Sequence, residues 1–427
     1  MYPNLYYFVK DIFGLELNFL KIFNSFGTFV ALSFIISAWV LTKELKRKEK
    51  AKLLQFTEKK IVTGKPASVG ELITNFLLGF LFGYKILGVL FTDNALDNPQ
   101  DYILSSNGNF VFGIAFGAIA TFVKWYEFNK QKQEKPEERT LRIWPSDRVG
   151  DMVIFAALFG FLGAKVFHNL ENWNEFVADP IGALVSFSGL TFYGGLICAT
   201  IAISYYAKKH NIAFWHLADC FAPTMMIAYA IGRIGCQVSG DGDWGILNSA
   251  FITDADTYKP ILVQTKQQFS EALLNHKVYY AHHLKTSIHS VEHISIKPIL
   301  GLPNWMFAYN YPNNVINDGV AMKNCVGNYC NALPLPVFPT PFYETMICTL
   351  FFGLLIWLRN KINVAGVLFG IYLMLNGIER FLIEKIRVNT VYDFGFIKPT
   401  QAEIISTILF LIGLTIVVWK NFKSKQK

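Results

Sequence analysis

The sequence predicts an all-α polytopic membrane protein of about nine transmembrane helices with a small external subdomain. Three observations lead there. Of 427 residues, 52% are hydrophobic and only 16% charged, against about 25% charged in soluble domains. Apolar runs of membrane-spanning length recur along the chain, and mean hydropathy is +0.32,. Lys and Arg gather after every second run, the positive-inside pattern, so the net charge of +8 reflects topology and not a nucleic-acid partner,.

Spans are expected at 26–42, 70–91, 109–123, 151–168, 189–207, 216–236, 342–358, 365–384 and 402–419. No short basic head precedes the first run and the basic cluster at 43–50 follows it, so no cleavable leader is expected and the N-terminus is placed outside,. Alternation then puts 43–69, 124–150, 208–215, 359–364 and the C-terminal tail inside, where 24 of the 39 Lys and Arg fall. The spans 109–123 and 342–358 are short for a bilayer, so their edges are loosely defined.

The long hydrophilic stretch 237–341 separates membrane regions 1–236 and 342–427 and reads as the external subdomain. Its Cys325 and Cys330 suit either a local disulfide or two free thiols,. It holds five of the eight His, including the pairs His282-His283 and His289/His293. No Cys or carboxylate is spaced to complete a ligand set around them, so no metal is expected.

The chain also resembles itself. Val69-Gly70-Glu71-Leu72 and Gly83-Tyr84-Lys85-Ile86 match Val149-Gly150-Asp151-Met152 and Gly163-Ala164-Lys165-Val166 at an offset of 80. One further residue out of step, Gly108, Phe112 and Gly113 match Gly189, Tyr193 and Gly194. Two-helix units over 66–127 and 146–208 are therefore expected to be duplicates.

Charged residues inside spans carry the functional signal, since each costs about 2.5–3.5 kcal/mol at mid-membrane. In the eighth span Asn376, Arg380, Glu384 and Arg387 share one helix face,. An Arg380/Glu384 pair that only balances its own charge leaves Arg387 unexplained. The sixth span ends in Gly232-Arg233-Ile234-Gly235-Cys236-Gln237-Val238-Ser239-Gly240-Asp241-Gly242-Asp243-Trp244-Gly245, with five glycines in fourteen residues. Such a turn lets backbone approach a ligand closely, and Arg233 beside it suits a phosphate because its fork presents paired donors.

These motifs resemble the prolipoprotein diacylglyceryl transferases. Supporting the 232–245 segment, in order, are 163–172, Phe192-Tyr193-Gly194-Gly195-Leu196-Ile197, Pro339-Thr340-Pro341-Phe342-Tyr343-Glu344 and Arg380-Phe381-Leu382-Ile383-Glu384, so that the likeness covers 26–42 and 146–419. The resemblance implies a core of seven spans plus the extra pair 66–127, in a bacterial cytoplasmic (inner) membrane with the C-terminus inside. It also implies phosphatidylglycerol and prolipoprotein signal peptides with a lipobox cysteine as partners, surrounding membrane lipids, and no cofactor. The catalytic candidates are Arg233, Arg380, Tyr193, Glu384 and Asp243. Candidates for binding phosphatidylglycerol are Arg233, Gly235, Gln237, Gly240, Gly245, Gly194, Gly195, Lys165, Tyr343 and Arg387.

The chain departs from the family pattern at telling positions. Tyr193 stands where the family has His, Cys236 where it has Asn, and Lys165 where it has Arg, while Asp241 or Asp243 replaces its Glu. The family's base therefore cannot be carried over, which leaves Asp243, His168 or solvent to deprotonate the thiol. An anion transporter built on duplicated helix pairs is the alternative from another class, and a non-catalytic lipid-binding scaffold is a third. Against transport, the repeat omits the Arg233 and Arg380 regions.

Overall fold

The computed structural model describes all residues except 64–65, 93–94, 97–98, 132–136, 187–190, 285–287, 388–391, 393–394, 396–397 and 426–427. Each expected span is helical: α1 (Ser25–Lys50), α2 (Val69–Leu81), α3 (Phe110–Gln131), α4 (Val149–Glu171), α5 (Phe192–Lys209), α6 (Phe214–Ser239), α7 (Thr340–Leu358), α8 (Val367–Glu384) and α9 (Gln401–Lys425). Seven are long and apolar enough to cross a bilayer, with α2 continuing through a π turn to Phe91. The other two, α5 and α8, have 18 residues each; α5 ends in Lys208-Lys209 and α8 carries Glu379, Arg380 and Glu384. The protein is a multi-pass membrane protein.

The chain forms two compact units. One comprises Met1–Glu16, Phe23–Leu41 and Trp215–Lys427; the other comprises Leu17–Ile22 and Thr42–Phe214.

In the second unit α2 lies against α3, and α4 against α5. Small residues set both contacts. A Cβ on Gly83 would meet the Phe112 carbonyl oxygen at 2.2 Å, and one on Gly163 would meet the Gly194 carbonyl oxygen at 2.5 Å. The lysines also match: Lys85 Nζ donates to the carbonyls of Ser105 and Asn107. Lys165 Nζ donates to the carbonyl and hydroxyl oxygens of Ser186, both at 2.9 Å. Each ties down the loop joining its helix pair. Gly189 lies outside the described residues. Strand β1 (Thr57–Thr63) pairs antiparallel with β2 (Glu137–Ile143), an element absent from the sequence expectation.

In the first unit α6 is the organising helix. Its Ala222, Met226 and Ala230 form a core with Cys348 and Leu355 of α7 and Leu368 of α8. Asp219 on α6 accepts from the amides of Gly366, at 3.0 and 3.1 Å, and Phe369, at 3.1 Å, and so satisfies orphan donors at the start of α8,. The stretch between α6 and α7 is built from short strands and two helices, Lys266–Asn275 and Lys277–Leu284, around Phe269, Tyr280, Tyr311 and Leu335. Cys325 and Cys330 form a disulfide, and the side chains of His283 and His289 lie outside the described residues. The amino-terminal segment meets this stretch and the end of α6, with Tyr2 N–H donating to Val238 O at 2.9 Å and Tyr7 edge-on to Tyr329.

The Gly163 contact predicts a sharp asymmetry within α4. Gly163→Ala should destabilise the protein by about 1–3 kcal/mol through overpacking. Gly150→Ala, where a Cβ meets nothing within 4 Å, should gain up to about 1 kcal/mol of helix propensity. Thermal unfolding in detergent micelles checks this, and equal effects would remove the close contact as the reason for Gly163.

Candidate active site

Helix α6 ends at Ser239, and Gly240 (φ +65°) and Gly242 (φ +99°) reverse the chain, conformations that a side chain resists,. The segment then runs against residues just beyond α8. Gly245 N–H donates to Phe338 O at 2.9 Å and Ile246 N–H to Ile386 O at 2.8 Å. A Cβ on Gly245 would lie 2.5 Å from the Ile386 carbonyl oxygen. This seam sets Asp243 beside two guanidiniums.

Asp243 pairs with Arg233, and its Oδ1 accepts from Arg387 at 2.7 Å. Arg233 Nε lies 3.1 Å from Glu344 of α7, which is fully buried. Glu344 also accepts from Tyr229 Oη at 3.0 Å and faces Arg380 of α8 at 3.4 Å. Arg380 in turn pairs with Glu384 one turn on, at 3.4 Å, and the Tyr229 ring lies 5.2 Å from the Arg233 guanidinium carbon. Three arginines and three carboxylates thus form one chain of ion pairs across α6, the Gly-rich turn, α7 and α8. Arg387 lies past the end of α8, where Arg387 N–H turns back to Glu384 O, so only the first three members of the expected stripe are in the helix.

The two aspartates diverge. Burial pushes the Asp241 carboxyl up. Burial would do the same to Asp243, but Arg233 and Arg387 outweigh it and hold that carboxyl at about 2. Environments that separate two neighbouring acids are a usual source of acid and base roles. Cys236 Sγ, Asp241 and Asp243 have ligand atoms within 4.8 Å of one another. Both Asp243 oxygens already face guanidiniums, so a dication there would meet two positive charges.

Gln237 Oε1 accepts from Tyr311 Oη at 2.9 Å, and Tyr343 Oη donates to Met306 O at 2.6 Å. A Cβ on Gly235 would lie 2.9 Å from Phe29 Cβ of α1, and one on Gly240 would lie 2.8 Å from Asn314 Cβ. Lys165, Tyr193, Gly194 and Gly195 belong to the second unit, where Lys165 holds Ser186 and the two glycines are contacts with α4. His168, also in that unit, lies 3.2 Å through Nδ1 from Asn172 Nδ2.

A sequence profile of the prolipoprotein diacylglyceryl transferases matches residues 110–419. The chain belongs to the prolipoprotein diacylglyceryl transferase family. The matched segment holds every residue of the ion-pair chain. It starts in α3, within the segment 66–127, so it takes in one helix that the motif comparison assigned to the extra pair and leaves α1 outside. The chain is similar to the phosphatidylglycerol--prolipoprotein diacylglyceryl transferase of Staphylococcus haemolyticus, 23% identical over 278 residues, 65% of this chain and 74% of that one. The enzyme of that name from Leptospira interrogans is 25% identical over 328 residues, covering 65% and 81%. That from Shouchella clausii is 23% identical over 285 residues, covering 66% and 79%.

Three residues escaped the sequence reading. Glu344 and Tyr229 join the arginines, and Glu379 lies close by in α8, only 1% exposed. The available signal was an acid in each of two apolar spans, a placement too costly to be incidental.

The depressed Asp243 carboxyl gives a pH signature. A carboxylate held at about 2, below its ordinary 3.8, contributes stability that is fully present above about pH 4 and lost as pH falls toward 2. Asp243→Asn should therefore be less stable than the parent by an amount on the order of 1–2 kcal/mol, allowing for screening at a partly exposed side chain. That gap should stay constant from pH 7 to about 4 and close below it. A gap that closes near neutrality in pH-dependent thermal melts would refute the assignment.

Proposed function

We propose that the protein transfers the diacylglyceryl group of phosphatidylglycerol to the thiol of a prolipoprotein's lipobox cysteine and releases glycerol phosphate, the first step of bacterial lipoprotein maturation. The observation that carries this reading is the meeting of Arg233, Arg380 and Arg387 beside the Gly-rich turn in a chain of this family. The thiolate sulfur bonds to the glyceryl carbon, the carbon–oxygen bond breaks, and its electron pair stays on the departing phosphate. Guanidiniums fixed in place stabilise that charge as it develops.

The resting arginines are already matched by carboxylates, so an incoming phosphodiester must exchange with one. Asp243 is the exchangeable partner because its side chain is one-third exposed, whereas Glu344 is fully buried and keeps Arg233 and Arg380 in place. Glu384 orients Arg380. Asp241, raised by burial, is a better proton acceptor for the thiol than Asp243. Gly235, Gln237, Gly240, Gly245 and Tyr343 shape the rim. The roles of Lys165, Tyr193, Gly194 and Gly195 in holding the head group rest on the motif resemblance.

We place the protein in the bacterial cytoplasmic membrane, with 237–341 and the N-terminus outside and the basic tail inside. Charge bias supports this orientation, as does the contact of residues 2–7 with Val238 and Tyr329,.

Purified protein, radiolabelled phosphatidylglycerol and a lipobox peptide test the reaction directly; label appearing on the peptide thiol is the expected outcome. In that assay Arg233→Lys should lose about 100-fold or more in transfer rate, since Lys keeps the charge but not the fork. Retained transfer in Arg233→Ala would sink the phosphate assignment.

Tyr193 yields a separate expectation. A phenol with an ordinary pKa of about 10 is a poor base at neutral pH, so its hydroxyl is assigned to binding. Tyr193→Phe should lose activity, while Tyr193→His, able to hydrogen-bond and to accept a proton, should recover much of it. Rate against pH for both variants is the measurement, and full activity in Tyr193→Phe would remove the residue from the site.

A further inference from the structure

Between the Gly-rich turn and α7 the chain throws out an apolar loop that the proposed chemistry does not use. Residues 296–307 read Ile-Lys-Pro-Ile-Leu-Gly-Leu-Pro-Asn-Trp-Met-Phe, and Leu300 is 93% exposed with Ile299, Leu302 and Trp305 exposed beside it. The tip is a fixed shape: Leu300 (φ +54°) and Gly301 (φ +70°) turn the chain, and Leu302 N–H closes on Ile299 O at 3.0 Å. Fully buried Asn248 clamps both ends. Its Nδ2 donates to Ile296 O at 2.9 Å and Phe307 O at 3.0 Å, and its Oδ1 accepts from Ile296 N–H at 3.0 Å.

Presenting leucine and isoleucine to water from a rigid, non-helical turn is costly and needs a cover. The loop's anchorage says what the cover is. Trp305 packs edge-on against Phe342, ring centroids 5.0 Å apart, and Met306 O accepts from Tyr343 Oη at 2.6 Å. Phe342 and Tyr343 stand in the first turns of α7, a membrane-spanning helix. The loop base is therefore level with the point where α7 enters the bilayer, among aromatic rings of the kind that favour the lipid interface. Its charge agrees: residues 293–317 contain no acid, and Lys297 is their one formal charge, which suits phosphate head groups.

We propose that the 296–307 loop inserts Ile299, Leu300 and Leu302 into the lipid leaflet at which α7 begins and anchors the segment between α6 and α7 to the bilayer surface. Asn248 follows Gly245 by three residues, so the anchor is joined through one short strand to the Gly-rich turn.

The test uses the full chain in phosphatidylcholine/phosphatidylglycerol vesicles and needs no enzymatic activity, so it stands apart from the proposed reaction. Leu300→Cys and Ile299→Cys are labelled with an environment-sensitive fluorophore, with Asp256→Cys as the exposed reference and the unsubstituted chain as background for its other thiols. The expected result is blue-shifted emission at 299 and 300, several-fold stronger quenching by nitroxide-bearing lipids than at 256, and several-fold weaker quenching by iodide. Iodide quenching equal to that at 256 would put the loop in water and overturn the proposal. Protection from iodide without quenching by lipid nitroxides would mean that protein covers it, a bound peptide or a second copy, and would overturn it equally.

Discussion

Glu344 is the group on which the site depends. A carboxylate with no exposed surface at the start of a spanning helix has no water to solvate it, so its charge must be met by protein. It is met three times, by Arg233 from α6, Arg380 from α8 and the Tyr229 hydroxyl. The dependence runs both ways, because an arginine in a span is as costly as an acid. One side chain thus fixes the rotation of α6, α7 and α8 about one another at the ends nearest the Gly-rich turn. Asp243 repeats the device one step outward, joining Arg233 to Arg387 at a position with more access to water. The inner link is suited to holding geometry and the outer one to exchange.

Much of this fold was legible in the sequence because a bilayer enforces simple rules. Each of the nine expected spans holds a helix, including α5 and α8, which are not among the seven long and apolar enough to cross a bilayer. Helix ends were less legible. The basic run at 43–50, beyond the expected edge of the first span, forms the last turns of α1, since Lys and Arg are good helix formers and favour a helix C-terminus. The pairing of β1 with β2 went unread because it joins segments about eighty residues apart, and neither shows strict alternation of apolar and polar residues.

Within the site, Arg233, Arg380, Glu384 and Arg387 were found from charge in apolar context, and the structure joins them. Glu344 stands in the 339–344 motif, yet its role is not legible there, because a lone acid near a span's edge reads as interfacial until its partners are known. Asp219 escaped for the same reason. Its carboxylate spends itself on backbone amides of the segment opening α8, and no spacing rule within one segment can report a partner about 150 residues away.

The lysines of the two similar segments 66–127 and 146–208 show where charge in a span stops being a guide to function. Lys85 and Lys165 each sit late in the first helix of a pair and donate to acceptors in the loop that follows, Ser105 and Asn107 in one case and Ser186 in the other. A loop at the membrane face exposes carbonyls that no helix satisfies, and an ammonium with three donors and a flexible stem can cover two of them. That need exists in both segments whatever either one binds. The match between the lysines is therefore explained by architecture. A function peculiar to 146–208 has to rest on residues that differ between the two segments, among them Tyr193 where the other has Phe112, His168 where it has Gly88 and Glu171 where it has Phe91.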